Sequence, residues 1–120
     1  MPEDLTDRWR HLLSQHARTS CALDEALGEH GLGMSEFEVL DRLACSCGER
    51  PRMQELAPLL HLSQSALSRT VGRLEKDGLV QRAMCTQDRR GIEVCLTDAG
   101  RALYEQALPT HRRVLAEQLG

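Results

Sequence analysis

The sequence predicts a mainly α-helical fold with one small β-hairpin. Over most of the chain, apolar residues recur at three- and four-residue steps, the helical period. Between Leu79 and Leu96 this gives way to alternating stretches rich in Val and Ile, separated by the polar turn Gln87-Asp-Arg-Arg-Gly91. Ser or Thr precedes several helical runs and Gly follows them, as helix starts and stops require.

The first element is a long helix from Leu5 to about Gly28. Leu5, Trp9, Leu12, Leu13, Ala17, Cys21, Leu23, Ala26 and Leu27 carry its apolar pattern, and Cys21 reads as a core position within it. Gly28, Gly31 and Gly33 close it. Ser35-Glu-Phe-Glu38 has the form of a capping box, in which the Ser hydroxyl takes up a free amide and the Glu returns the contact. It opens a second helix carrying Phe37, Val39, Leu40, Leu43 and Ala44. Cys45 to Pro51 reads as a turn.

A short helix follows over Arg52–Leu60, bent or shortened by Pro58, which lacks a backbone donor. His61-Leu62 is a tight connection to a helix capped by Ser63 and closed by a left-handed Gly78, with Leu67, Val71 and Leu74 as its buried stripe. Two helices joined so closely form a helix-turn-helix. Leu79–Cys85 and Ile92–Leu96 then make the hairpin. Thr97 caps a helix through Leu108, and Pro109 begins a last one through Leu119.

At 120 residues the chain is expected to be one domain, large enough for a single core and small enough to gain from a partner subunit. It has no run of 18 apolar residues, which excludes a membrane-spanning helix. The acidic segment Met1 to Trp9 lacks the apolar core of a signal peptide, so the expected compartment is the cytoplasm. The five cysteines, an odd number, do not form the framework of a secreted disulfide fold.

Net charge is −3, but its distribution is uneven. Residues 1–48 hold nine acids and four arginines, whereas residues 63–90 hold six cations and three acids. A phosphate partner responds to this local positive field, because salt screens charges beyond about 8 Å. On the Ser63–Asp77 helix, the buried stripe leaves Ser65, Arg69, Gly72 and Lys76 on the opposite face, flanked by Gln64, Ser68 and Arg73. Gln can pair bidentately with adenine, Arg with guanine, and Ser with either. At the hairpin tip, Asp88, Arg89 and Arg90 form a basic triplet in which the acid can orient a guanidinium. An arginine so placed suits the strong negative potential of a narrow minor groove.

The residues Leu56-Ala57, Leu62-Ser63-Gln-Ser65, Arg69, Val71, Arg73-Leu74-Glu75, Gly78-Leu79-Val80, Arg82, Asp88-Arg-Arg90, Val94, Leu96-Thr97 and Gly100 resemble the MarR family of winged helix-turn-helix regulators. The likeness extends back to Ser35-Glu-Phe-Glu-Val-Leu40 and forward to about Leu115. It implies a single domain over 1–120: a winged helix-turn-helix lobe over 35–100, flanked by dimerisation helices over 1–30 and 101–120. It further implies a homodimeric, sequence-specific regulator of double-stranded DNA that binds a pseudo-palindromic operator. Such a protein is a repressor released by a small aromatic or phenolic effector or by oxidation. Gln64, Ser65, Ser68, Arg69 and Arg73 would then lie in the major groove, and Arg90 in the minor groove with Asp88 and Arg89 beside it.

Two departures from the family pattern stand out. Gly72 occupies a position where the family usually has Asp, which removes a local ion pair. The chain stops at Gly120, short of the family's usual long C-terminal helix, so the dimer interface is expected to be small or to rely on Leu5–Leu27. By the same resemblance, an effector site falls near Trp9, His11, His16 and Arg18, where Arg18 could pair with a carboxylate.

Cys85 and Cys95, each five residues from Arg90, could face each other across the hairpin, where a disulfide would stiffen it; the alternative is two small buried apolar side chains. Cys45-Ser-Cys47 with His61 lacks the spacing and second pair of a structural zinc site, so no metal is expected. The sequence contains no nucleophile elbow and no phosphate-cradling glycine loop, so neither catalytic residues nor a cofactor are expected. The alternative reading is a small-molecule or thiol-redox sensor acting through a protein partner.

Overall fold

The computed structural model of the chain describes residues 4–46, 50–84 and 91–120. Its elements are α1 (Leu5–Leu27), a 3₁₀ turn (Gly28–His30), α2 (Met34–Ala44), α3 (Met53–Leu59), α4 (Gln64–Lys76), β1 (Val80–Met84), β2 (Ile92–Leu96) and α5 (Asp98–Leu119). The fold is mainly helical with one two-stranded antiparallel hairpin. No described helix is long and apolar enough to cross a membrane. The chain divides into two compact units, Met1–Met34 with Ala107–Gly120, and Ser35–Gln106.

In the first unit, Asp4 caps α1 by accepting from the Thr6 amide at 2.9 Å. Gly31 takes the left-handed conformation (φ +73°) that ends the 3₁₀ turn. Leu23, Leu27, Leu32, Ala107, His111 and Val114 are its buried side chains. His30 Nε2 lies 3.1 Å from Thr110 Oγ1, a polar link between two segments far apart in sequence. The front half of α1 is different: Leu5, Trp9, Leu12 and Leu13 are 75%, 59%, 51% and 48% exposed. Cys21 is exposed as well, so it is not the core residue its place in the apolar pattern predicts. The pattern correctly gave a helix, but burial within the chain begins only at Leu23.

In the second unit, α2 buries Phe37, Val39, Leu40 and Leu43. Tyr104 of α5 stacks on Phe37 with ring centroids 5.5 Å apart, and its hydroxyl donates to Asp41 Oδ1 at 2.7 Å. The ring thereby gains apolar contact while its polar end remains bonded. α3 runs one residue past Pro58 and packs on α4. The link between them turns through His61 in a left-handed conformation (φ 56°), and the Leu62 amide donates to Ala57 O at 3.0 Å.

Ser63 Oγ accepts from the Ala66 amide at 3.1 Å, so the predicted cap of α4 forms. The other end closes as a Schellman motif: the Gly78 amide (φ +76°) donates to Glu75 O at 3.0 Å, and the Leu79 amide to Leu74 O at 2.9 Å. Leu67, Val71 and Leu74 are buried as expected, and Thr70 joins them because its hydroxyl donates to Ala66 O at 3.0 Å. A short polar side chain bonded to its own helix can be buried without leaving a donor unpaired.

The hairpin pairs Val80 with Leu96 at its base and Met84 with Ile92 at the far end. Both outer edges are covered. The Arg82 amide donates to Glu75 Oε2 at 3.3 Å, and the Val94 amide to Pro51 O at 3.0 Å. At the base, Thr97 binds three partners: its amide donates to Leu79 O at 3.1 Å, its hydroxyl to Gly78 O at 2.7 Å, and the hydroxyl accepts from the Gly100 amide at 3.0 Å. That last bond caps α5.

Three further expectations are corrected. α2 begins at Met34, so Ser35 lies inside its first turn and is not the N-cap; the Met34 amide instead donates to Asp24 Oδ1 of α1 at 2.7 Å. α5 is one helix, with Pro109 inside it, not two helices meeting there. Pro109 lies on the exposed side, where it forgoes one bond to the Glu105 carbonyl, while Tyr104, Ala107, His111 and Val114 continue the buried stripe past it. Finally, Cys95 pairs across the hairpin with Gln81, not Cys85. Cys85 itself lies outside the described residues.

A methyl group on Gly100 would overlap the Leu79 carbonyl oxygen. Gly100→Ala is therefore expected to lower stability by about 1–3 kcal/mol, the usual range for overpacking. Urea denaturation followed by circular dichroism measures it, and an unchanged midpoint would contradict the close approach.

Candidate functional site

The exposed face of α4 gathers most of the predicted site. Burial of Leu67, Thr70, Val71 and Leu74 fixes the rotation of the helix about its axis. Gln64, Ser65, Ser68, Arg69, Arg73 and Lys76 are exposed as a result. The face is chemically graded along its length of ~18 Å. Its N-terminal half holds the uncharged hydrogen-bonding groups of Gln64, Ser65 and Ser68, and its C-terminal half the cations Arg69, Arg73 and Lys76. Among the described residues, no carboxylate forms an ion pair with these three cations. Arg69, Gly72, Arg73 and Lys76 line an open hollow of about 410 Å³.

β1 carries a residue absent from the predicted set. Arg82 Nε donates to Glu75 Oε1 at 3.2 Å while the Arg82 main-chain amide takes Oε2, so Glu75 grips both the side chain and the backbone of the strand. Arg82 Nη2 comes within 3.5 Å of where a Gly72 Cβ would stand. The strand alternation holds the signal that could have found it: Arg82 shares a strand face with Val80, which is buried where β1 meets α4. Lys76, seven residues after Arg69, was already placed on this face by the helical period.

The other predicted residues fare differently. Asp88, Arg89, Arg90 and Cys85 lie outside the described residues. Cys95 is a free, half-buried thiol. Trp9, His11, His16 and Arg18 are all exposed on α1. Helical geometry places Trp9 with His16 on one side and His11 with Arg18 on nearly the opposite side, so the chain does not bring the four together. Among the described residues, no group of three or more His, Cys, Asp or Glu side chains could hold a metal ion.

The MarR family model matches residues 32–92, from the end of the 3₁₀ segment to the start of β2. The chain belongs to the MarR family. It is similar to the HTH-type transcriptional repressor YetL of Bacillus subtilis, at 33% identity over 68% of this chain and 48% of YetL. Among solved structures it is similar to AbsC, a MarR family transcriptional regulator from Streptomyces coelicolor, with a TM-score of 0.88 and 32% identity, covering 99% of this chain and 81% of AbsC. It is likewise similar to Sco3205, a MarR family transcriptional regulator from the same organism in complex with DNA. That match has a TM-score of 0.89 and 31% identity, covering 99% of this chain and 78% of Sco3205. The chain spans about half the length of the curated relatives YetL and MdtR that it matches.

Within this MarR-family fold, Glu75 ties the wing strand to α4. An exposed ion pair adds little to global stability, roughly 0–1 kcal/mol. Glu75→Gln is expected to leave the unfolding midpoint nearly unchanged while speeding hydrogen exchange at the Arg82 amide. Exchange resolved by NMR measures this, and wild-type protection at that amide would contradict the clasp.

Proposed function

We propose that the chain is a sequence-specific, double-stranded DNA-binding transcriptional regulator that acts as a homodimeric repressor. The observation that carries the proposal is the graded face of α4, with uncharged hydrogen-bonding side chains in front and unpaired cations behind. An α-helix fits a major groove about 12 Å wide, where Gln and Ser can read base edges while Arg and Lys meet the phosphates that flank them. The likeness to Sco3205, solved in complex with DNA, supports this reading, and the repressors YetL and MdtR among the relatives support the sign of regulation. Asp88, Arg89 and Arg90 are assigned to the hairpin tip, with Arg90 as the minor-groove residue.

The homodimer is supported by the exposed stripe Leu5, Trp9, Leu12 and Leu13 on the front of α1. A contiguous apolar helix face of this kind marks an interaction surface. Two-fold symmetry would present two α4 helices to half-sites about one DNA turn apart, ~34–36 Å.

In an anisotropy titration against duplex DNA from upstream of its own gene, binding should weaken steeply with salt, in proportion to the phosphates neutralised. Arg69→Ala, Arg73→Ala and Arg90→Ala should each lower affinity roughly tenfold or more, corresponding to about 1–3 kcal/mol per lost contact. Wild-type affinity in all three variants would sink the assignment. Light scattering should give twice the one-chain mass for the wild type and a single-chain mass for Leu12→Glu. A monomeric wild type would sink the dimer.

A further inference from the structure

We infer that a cleft on the outer edge of β2 is a binding site for a short aliphatic dicarboxylate, held between Arg50 and Arg101. Glu75 of α4 meets the outer edge of β1, whereas the cleft lies along the other edge of the hairpin, beside Pro51. The inference therefore goes beyond the DNA-binding reading and does not depend on it.

The cleft has a volume of about 170 Å³ and gathers residues distant in sequence. Arg50 enters it from the segment before α3, and Arg101 from the first turn of α5. Leu43, Pro51 and Val94 give it an apolar wall, and Cys95 and Leu96 of β2 complete it. The backbone beside each arginine is pinned. The Pro51 carbonyl accepts from the Val94 amide at 3.0 Å, and the Arg101 amide donates to Thr97 O at 3.0 Å. Both cations thus reach the cleft from fixed positions.

Three observations give the cleft its preference for negative charge. Arg50 and Arg101 are exposed, and among the described residues no carboxylate pairs with either. Two like charges lining one small cleft repel each other, and an anion between them removes that cost. Arg101 also stands at the positive end of the α5 dipole, where a cation is disfavoured and an anion favoured. The third observation is the edge of β2. The Val94 amide points outward to Pro51 O, and strand alternation turns the Leu96 amide to the same side. Among the described residues no carbonyl accepts from the Leu96 amide, so it adds a neutral donor to the two cations.

A guanidinium takes a carboxylate through two parallel N–H···O bonds. Two guanidiniums from separate elements suit two carboxylates, and the apolar wall suits a carbon chain between them. The volume is that of roughly six water molecules at about 30 Å³ each, which limits the chain to a short one. Inorganic phosphate would leave the wall uncovered, and a nucleotide exceeds the cleft.

The test titrates the full chain with sodium succinate by calorimetry, at ionic strength matched with chloride. Alkylation by iodoacetamide, resolved residue by residue by mass spectrometry, locates the site. Cys95 is half-buried and lines the cleft, whereas Cys21 is exposed on α1. Succinate should slow alkylation of Cys95 about fivefold by closing access to the thiol, and leave Cys21 unchanged. Arg50→Gln and Arg101→Gln should each weaken succinate binding about tenfold or more, the usual result of losing a charge-assisted contact. Both side chains are exposed, so both variants should melt at the wild-type temperature.

No heat of binding and no protection of Cys95 at millimolar succinate overturns the site. Wild-type affinity in both variants overturns it equally. Benzoate binding as tightly as succinate would mean that one carboxylate suffices, and inorganic phosphate doing so would mean that no carbon chain is needed. Either result overturns the dicarboxylate assignment. Failure of any of these arms leaves the duplex titration untouched, and a chain that binds no duplex leaves this site intact.

Discussion

The junction at Gly78–Leu79 and Thr97–Gly100 is the constraint on which the unit Ser35–Gln106 depends. Four elements meet there: the end of α4, the start of β1, the end of β2 and the start of α5. Thr97 bonds to Gly78 and Leu79 on one side and caps α5 on the other, and the helix backbone at Gly100 passes too close to Leu79 O for any side chain. Left-handed Gly78 lets the chain leave α4 directly into β1. Because both ends of the hairpin are bonded at one point, its base cannot drift relative to α4.

Glu75 secures the same relationship farther out. Its two oxygens hold the Arg82 side chain and amide, so β1 is tied to α4 at its middle as well as at its base. A carboxylate that satisfies the outer edge of a two-stranded sheet also protects that edge from pairing with another chain. On the other side, the Pro51 carbonyl does the same for β2. A hairpin of five-residue strands would be marginal alone, and these flanking bonds are what make it a structural element.

Charge and burial act together in α4. Four buried residues set the rotation of the helix, and that rotation decides which cations are presented. With Gly72 between Arg69 and Lys76, the presented surface is a depression and not a ridge. In the proposed DNA complex this gives a division of labour. The front of the helix offers groups that can discriminate bases, and the rear offers charge.

The sequence by itself determined the type and order of the elements from α1 to the start of α5, apart from the 3₁₀ turn, because period, caps and turn residues are local properties. Ser63, Gly78 and the Leu67–Leu74 stripe each specified their part of α4, and the Leu56-to-Gly100 motifs already pointed to the family. It did not determine contacts between residues distant in sequence. The cap of α2 comes from Asp24, ten residues away, where a local box at Ser35 was the simplest reading. Pro109 stays inside α5 because it falls on the exposed side, which only the packing reveals. The reading that sets Cys85 opposite Cys95 assumed a hairpin symmetric about Arg90, whereas the register sets Gln81 opposite Cys95. Arg82 could be counted as a charge from the sequence. Only tertiary structure, by folding β1 back against α4, brings it to Glu75 and Gly72.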